Sequence, residues 1–152
     1  MSIAQTATTS FKVQLLQAVH NFGPTSPNTF KIALFTGAAN LSASTTAYTA
    51  GMTGEVANGN GYTTGGNTLV ISTSPTSGNN TSSIPTAFIS FSNTSWTNAS
   101  FTARGALIYN DSVAGDPSVA VLDFGADKTV TNDTFQIIFP TADANSAIVR
   151  IS

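Results

Sequence analysis

A hydrolytic relay needs a nucleophile, a base and a group that orients the base, and the base is most often histidine. This chain offers a single histidine, His20. It falls beside Asn21 and Phe22, where a helical pattern gives out, and is expected to interact with the last carbonyls of that helix. One imidazole without cysteine or a group of carboxylates makes no zinc site either. The acids are seven in number, and Asp111, Asp116, Asp123, Asp127, Asp133 and Asp143 all lie in the last third. Two turns brought together could offer oxygen ligands to calcium. No Asp-x-Asp-x-Asp-Gly loop occurs, and such side chains are what tight turns use, so turn-making is the expected role.

A glycosidase requires two carboxyl groups across a cleft. Asp123 and Glu55 are formally available, but nothing in their spacing supports the pairing. Arg104 and Asp123 each interrupt an apolar strand pattern. If the two strands pair, the charges can satisfy one another as a structural ion pair, with a contact to another subunit as the second reading. Gly59-Asn60-Gly61-Tyr62-Thr63-Thr64-Gly65-Gly66 is glycine-rich, yet it lacks the lysine and the preceding strand of a phosphate cradle, which leaves turn formation. Asn-x-Ser/Thr matches, such as those at Asn79, Asn93, Asn98 and Asn132, are accidental in a chain of this composition. No catalytic, cofactor-binding or metal-binding residue is assigned, and an enzyme is not expected.

Composition agrees with that. Charged residues make up 8% of the 152 residues, whereas 24 threonines, 18 serines and 13 asparagines exceed a third of the chain. An ordinary domain carries roughly 25% charge, so hydroxyls and amides must wet this surface. Five Lys and Arg against seven Asp and Glu exclude a basic nucleic-acid binder. The lack of cysteine excludes a disulfide framework and thiolate metal sites. Met1–Ser10 has neither a basic region nor an apolar run, and no stretch approaches the ~20 apolar residues that span a bilayer. A soluble protein made in the cytoplasm, without a membrane partner, is therefore expected.

The elements that would position these residues are nearly all strands. One helix is predicted, capped by Thr9 or Ser10, with Phe11, Leu15, Leu16, Ala18 and Val19 on one side and Asn21-Phe22-Gly23 ending it. It must lie against something, either the domain's own sheet or a neighbouring subunit. Phe30–Thr36 is apolar on both faces and suits a central strand. Thr68–Ser72, Ala87–Phe91, a short piece around Trp96, Phe101–Tyr109, Val119–Phe124, Thr134–Phe139 and Ala147–Ile151 follow. The fold class is all-β, an antiparallel β-sandwich or jelly roll of about seven or eight strands with one short N-terminal helix. Residues 1–9 read as an arm and residues 10–152 as one domain.

The connections differ in kind. Asp111–Ser118, Gly125-Ala126-Asp127-Lys128 and Thr141–Ser146 read as tight turns. Gly37–Gly66 is long, and its apolar residues Leu41, Tyr48, Met52, Val56 and Tyr62 imply that it is ordered by packing on the domain or a partner. Ser74–Ser83 has no such anchor and is expected to be an exposed, mobile tip.

Several stretches taken together resemble small virion proteins of tailed bacteriophages. They are Phe11–Phe22, Thr29–Thr36, Tyr48-Thr49-Ala50, Gly54-Glu55-Val56, Gly61–Leu69, Trp96-Thr97, Phe101–Asn110 and Ala120–Gly125, covering most of the chain from Ser10 to Ile151. The resemblance implies a structural component of the phage particle in many copies. A compact domain without a fibrous repeat suits a capsid decoration, or cement, protein on the outer shell, with a tail or tail-fibre component as the alternative. The partners would be the major capsid protein or tail proteins, together with copies of the chain itself in a small homo-oligomer such as a trimer. Contacts are expected from Ser2–Thr9, from the helix at Phe11 and Leu15, and from the long loop through Tyr48, Met52 and Tyr62. If the protein instead binds a receptor or glycan, exposed Tyr48, Tyr62 or Trp96 would stack on sugar.

Overall fold

The computed structural model describes residues 1–152. The strand Phe30–Phe35 (β2) sets the architecture. Successive strand residues point to opposite faces, and here both faces are apolar. Phe30, Ile32 and Leu34 enter one buried cluster, and Ala33 and Phe35 enter another. A strand of this kind must be covered on both sides, and the rest of the chain supplies the two covers.

The eight strands are Thr6–Ala7 (β1), β2, Asn67–Leu69 (β3), Ile71–Asn79 (β4), Pro85–Phe91 (β5), Thr94–Asn110 (β6), Ser118–Ile137 (β7) and Val149–Ile151 (β8). They form a five-stranded sheet in the order β1-β7-β6-β2-β3 and a three-stranded sheet in the order β4-β5-β8, antiparallel throughout. The fold is an all-β sandwich. The larger cluster fills the space between the sheets with Phe30, Ile108, Leu122, Ile89 and Phe91. The smaller cluster, which includes Leu41, Tyr48, Leu107 and Tyr109, lies on the opposite face of the five-stranded sheet, under the Gly37–Gly66 loop. That loop is therefore ordered by packing on its own domain.

The helix Thr9–Leu16 (α1) is capped by Thr8, whose hydroxyl accepts from the Phe11 N–H. It is shorter than expected. Ala18 adopts a positive φ of 57°, and the Val19 N–H closes back on the Gln14 carbonyl. Only Phe11 is buried, Leu15 is half-buried, and Leu16 faces water. The expected apolar side of Leu16 and Ala18 thus does not form, because the helix has ended before a further turn can carry them inwards.

Four other expectations are corrected. The piece around Trp96 and the strand Phe101–Tyr109 are one strand, β6. Val119–Phe124 and the first four residues of Thr134–Phe139 join in β7, which runs through Gly125–Lys128 instead of turning there and ends at Ile137. Between the pairs Gly105↔Asp123 and Ala103↔Lys128, β7 loops out as a bulge, with Gly125 at φ 75° and its N–H held by Asp123 Oδ1 at 2.9 Å. Thr68–Ser72 is not one strand, since Val70 carries the chain from β3 in one sheet to β4 in the other. Ser74–Asn79 belongs to β4, which shrinks the exposed tip to a turn at residues 80–84, where Asn80 Oδ1 accepts from Ser82 and Ile84.

The first nine residues are stitched to the body. Ala4 donates to the Leu41 carbonyl at 2.9 Å, Leu41 donates to the Ser2 carbonyl at 3.0 Å, and Thr6 and Ala7 pair with Val121 and Ala120. Ile3 fills the space above Gly105, where a Cβ would meet its side chain and the Leu122 carbonyl.

Candidate functional site

The one glutamate is held by its own loop. The backbone reverses at Gly51, Gly54, Gly65 and Gly66, all at positive φ. A Cβ on Gly66 would collide with the Ile32 carbonyl, so this loop end can approach β2 only as glycine. Glu55 then accepts from Tyr62 Oη at 2.9 Å, Tyr48 Oη at 3.0 Å to each oxygen, the Gly65 N–H at 2.7 Å and the Gly51 N–H at 2.9 Å. Tyr62 Oη in turn accepts from the Leu34 N–H, and Tyr109 Oη donates to the Gly65 carbonyl. Burial pushes all three phenols well above their ordinary value, and the Glu55 carboxylate adds to this for Tyr48 and Tyr62. Four donors occupy the carboxylate, which leaves it poorly placed to move a substrate proton. Its role is to fasten the loop to the sheet.

Asp123 is engaged elsewhere. Its Oδ1 lies 3.5 Å from Arg104 Nε, and Asp127 lies 4.0 Å from the same guanidinium. The expected Arg104–Asp123 ion pair therefore forms across β6 and β7. Both partners are partly solvated, so it contributes little to stability. Asp133 and Asp143 cap local turns through the N–H groups of Thr134, Asn145 and Ser146.

His20 does not meet the helix carbonyls. Its ring is buried against Phe11, Phe22 and Phe30. Asn110 fixes its tautomer. The Asn110 amide oxygen accepts from the Ser112 N–H, and its nitrogen donates to Asn28 Oδ1 at 2.9 Å and to His20 Nδ1 at 3.1 Å. Nε2–H then donates to Gln14 Oε1 at 2.9 Å. Burial lowers the imidazole pKa, and no acid contacts the ring to offset this.

The residues expected to contact partners divide sharply. Tyr48 and Tyr62 are 5% and 2% exposed, and Trp96 is buried between Tyr62 and Phe135. These three rings cannot offer a face to sugar or protein, because the long loop spends them on its own packing. Phe11 is likewise buried; Leu15 and Met52 are half-buried. Of the five, Phe11 and Leu15 do border open space.

That space is a chain of three clefts along the open side of the sandwich. The first, about 470 Å3, lies in the curl of β7 and is lined by Phe124, Phe135, Ile137 and Phe139 among others. The second, about 500 Å3, lies between α1 and β8 and shares Ile148 with the first. The third, about 330 Å3, runs from α1 to β5 and shares Phe11, Leu15, Val149 and Ile151 with the second. Shared residues make the three one continuous and mainly apolar band, which Asp123, Lys128, Lys12 and Arg150 also line. Leu16, at the end of α1, and Ile138, which follows β7 and lines the first cleft, are 92% and 71% exposed.

The sequence reading missed most of the band. Ile137-Ile138-Phe139 held a signal, since three successive apolar residues in a strand cannot all face one core. Nothing comparable pointed to Lys12 or Arg150. Among side chains, no cluster of three or more His, Cys, Asp or Glu is assembled that could hold a metal ion, and no helix is long and apolar enough to cross a membrane. Comparison with protein-family models, curated proteins and solved structures gave no match.

Proposed function

We propose that this chain is a non-enzymatic structural protein of a phage virion, a decoration or cement protein that covers the outer shell in many copies. The observation that carries the reading is the continuous, mainly apolar band, set in a hydroxyl-rich surface with few charges. Beside it, the groups best suited to chemistry are engaged: Glu55 by four donors and His20 in a buried network.

Binding is the whole mechanism. The band meets neighbouring capsid subunits and copies of the chain in a small homo-oligomer. Each contact can be weak, because repeated sites on a lattice raise the effective concentration of every further contact. A surface with few charges keeps such adhesion insensitive to salt.

Immunogold labelling of intact particles, from a phage whose genome encodes the chain, tests the assignment. Label spread over the head is the expected result. Label confined to the tail moves the protein to the tail or tail fibre, and unlabelled particles remove the virion role altogether.

A further inference from the structure

Two unpaired strand edges in this chain carry opposite charge. The outer edge of β8 has no partner beyond β5 and borders the cleft between β8 and α1. Phe11, Leu15, Ile148 and Val149 give the cleft an apolar lining, and Lys12 and Arg150 also line it. Neither cation forms an ion pair, although they are two of only five in the chain. No Asp or Glu side chain lines the cleft.

The second edge belongs to β7. β1 covers it only at Ala120 and Val121, and from Leu122 onwards β6 is its sole partner. Its exposed stretch carries Asp127, Lys128 and Asp133, with Lys128 lining the first cleft. Asp133 has no cation, and Asp127 reaches Arg104 only at 4.0 Å. Charges on an open edge ordinarily guard it against pairing with a copy of itself. Here the stretch stays net negative despite Lys128, and the β8 edge is its cationic match.

We infer that the β7 edge of one copy docks along the β8 cleft of a second copy, with Asp127 and Asp133 meeting Lys12 and Arg150. Main-chain hydrogen bonds between the two edges and the apolar cleft supply the affinity, and the charges set register and partner. Each copy gives one surface and receives on the other, so the contact is heterologous and closes into a ring or runs on as a filament. This deepens the homo-oligomer of the proposed function by naming its surfaces.

Sedimentation equilibrium of the full chain from micromolar to millimolar concentration reads the interface directly. The unmodified chain is expected to associate. Lys12→Glu/Arg150→Glu and Asp127→Lys/Asp133→Lys, all exposed positions whose folding is verified by the urea midpoint, should each weaken association ~tenfold or more. An equimolar mixture of the two double variants should associate again, because each then offers the charge that the other lacks. A chain that stays monomeric throughout overturns the inference. So does association that neither reversal changes, or a mixture that stays monomeric. Self-association without head labelling leaves this interface standing and removes the virion role; head labelling by a solitary chain does the reverse.

Discussion

The ring of Tyr48 lies on that of Tyr109, with centroids 4.3 Å apart and planes 13° from parallel. Tyr48 comes from the long loop and Tyr109 from β6, so the stack joins the loop to the sheet. The two phenol oxygens divide the polar work. Tyr48 Oη donates to Glu55, and Tyr109 Oη donates to the Gly65 carbonyl. A loop of glycine, threonine and asparagine is thereby ordered by a small polar cluster seated on an aromatic pair.

Replacing Glu55 with Gln removes the charge and turns an N–H2 group towards donors. Hydrogen bonds to a charged group are worth ~1.5–3 kcal/mol each, and their losses here overlap. Urea unfolding should show a destabilisation of about 2–4 kcal/mol with an unchanged m value. A shift below ~0.5 kcal/mol, the level of an ordinary surface change, means that the cluster does not hold the loop.

The chain has three tyrosines, and all three belong to this cluster. Their raised pKa values mean that the folded chain keeps protons that the unfolded chain releases at ~10. Their contribution to stability is therefore complete below pH ~10 and lost as pH rises beyond it. Phenolate absorbance should stay absent until the chain unfolds in alkali, then appear for all three at once. Phenolate formation in the folded chain near pH 10 contradicts the cluster.

His20 acts in the opposite direction. The fold lowers its pKa, so the unfolded chain binds the extra proton first as acidity rises. The stability conferred by the neutral ring is complete above the ordinary value of 6.5 and is lost as pH falls below it. Protonated Nδ1 would also face the Asn110 amino group, donor against donor. Urea midpoints should drop from pH 6.5 downwards with a slope of up to ~1.4 kcal/mol per pH unit, and His20→Gln should flatten that slope. An equal slope in both proteins rules His20 out as its source.

Leu16→Asp and Ile138→Asp alter exposed side chains beside the band. Each should change stability by no more than ~0.5 kcal/mol. Each should also weaken attachment to particles at least about tenfold, measured by co-sedimentation, if the band is the contact surface. Full attachment by both variants places the contact elsewhere.

Phe124 and Phe135 show why the strands were legible and their joins were not. Both lie in β7, and eleven residues of straight strand would separate them by about 36 Å. Their ring centroids are 6.2 Å apart. The strand curls because Gly125, Asn98 and Asn132 take positive φ beside breaks in the β6–β7 register. In sequence, Gly-Ala-Asp-Lys and Asn-Asp are signals for a change of direction, and a bulge satisfies them as well as a hairpin does. Phe30–Phe35 was legible because apolar residues on both faces leave a strand only one place in a sandwich. Burial of Tyr48 and Tyr62 was half legible: the loop's apolar anchors implied packing, but nothing local marked Glu55 as the group that turns their hydroxyls inwards. The clefts were not legible, since α1, β7 and β8 meet only through tertiary packing.

Particles made without this chain, mixed with the purified protein over a concentration series, give the most direct measurement of the central claim. Copies bound per head are counted after unbound protein is removed. Saturable binding of many copies per head, with the tail left bare, is the expected result. Particles that take up no protein at any concentration contradict it.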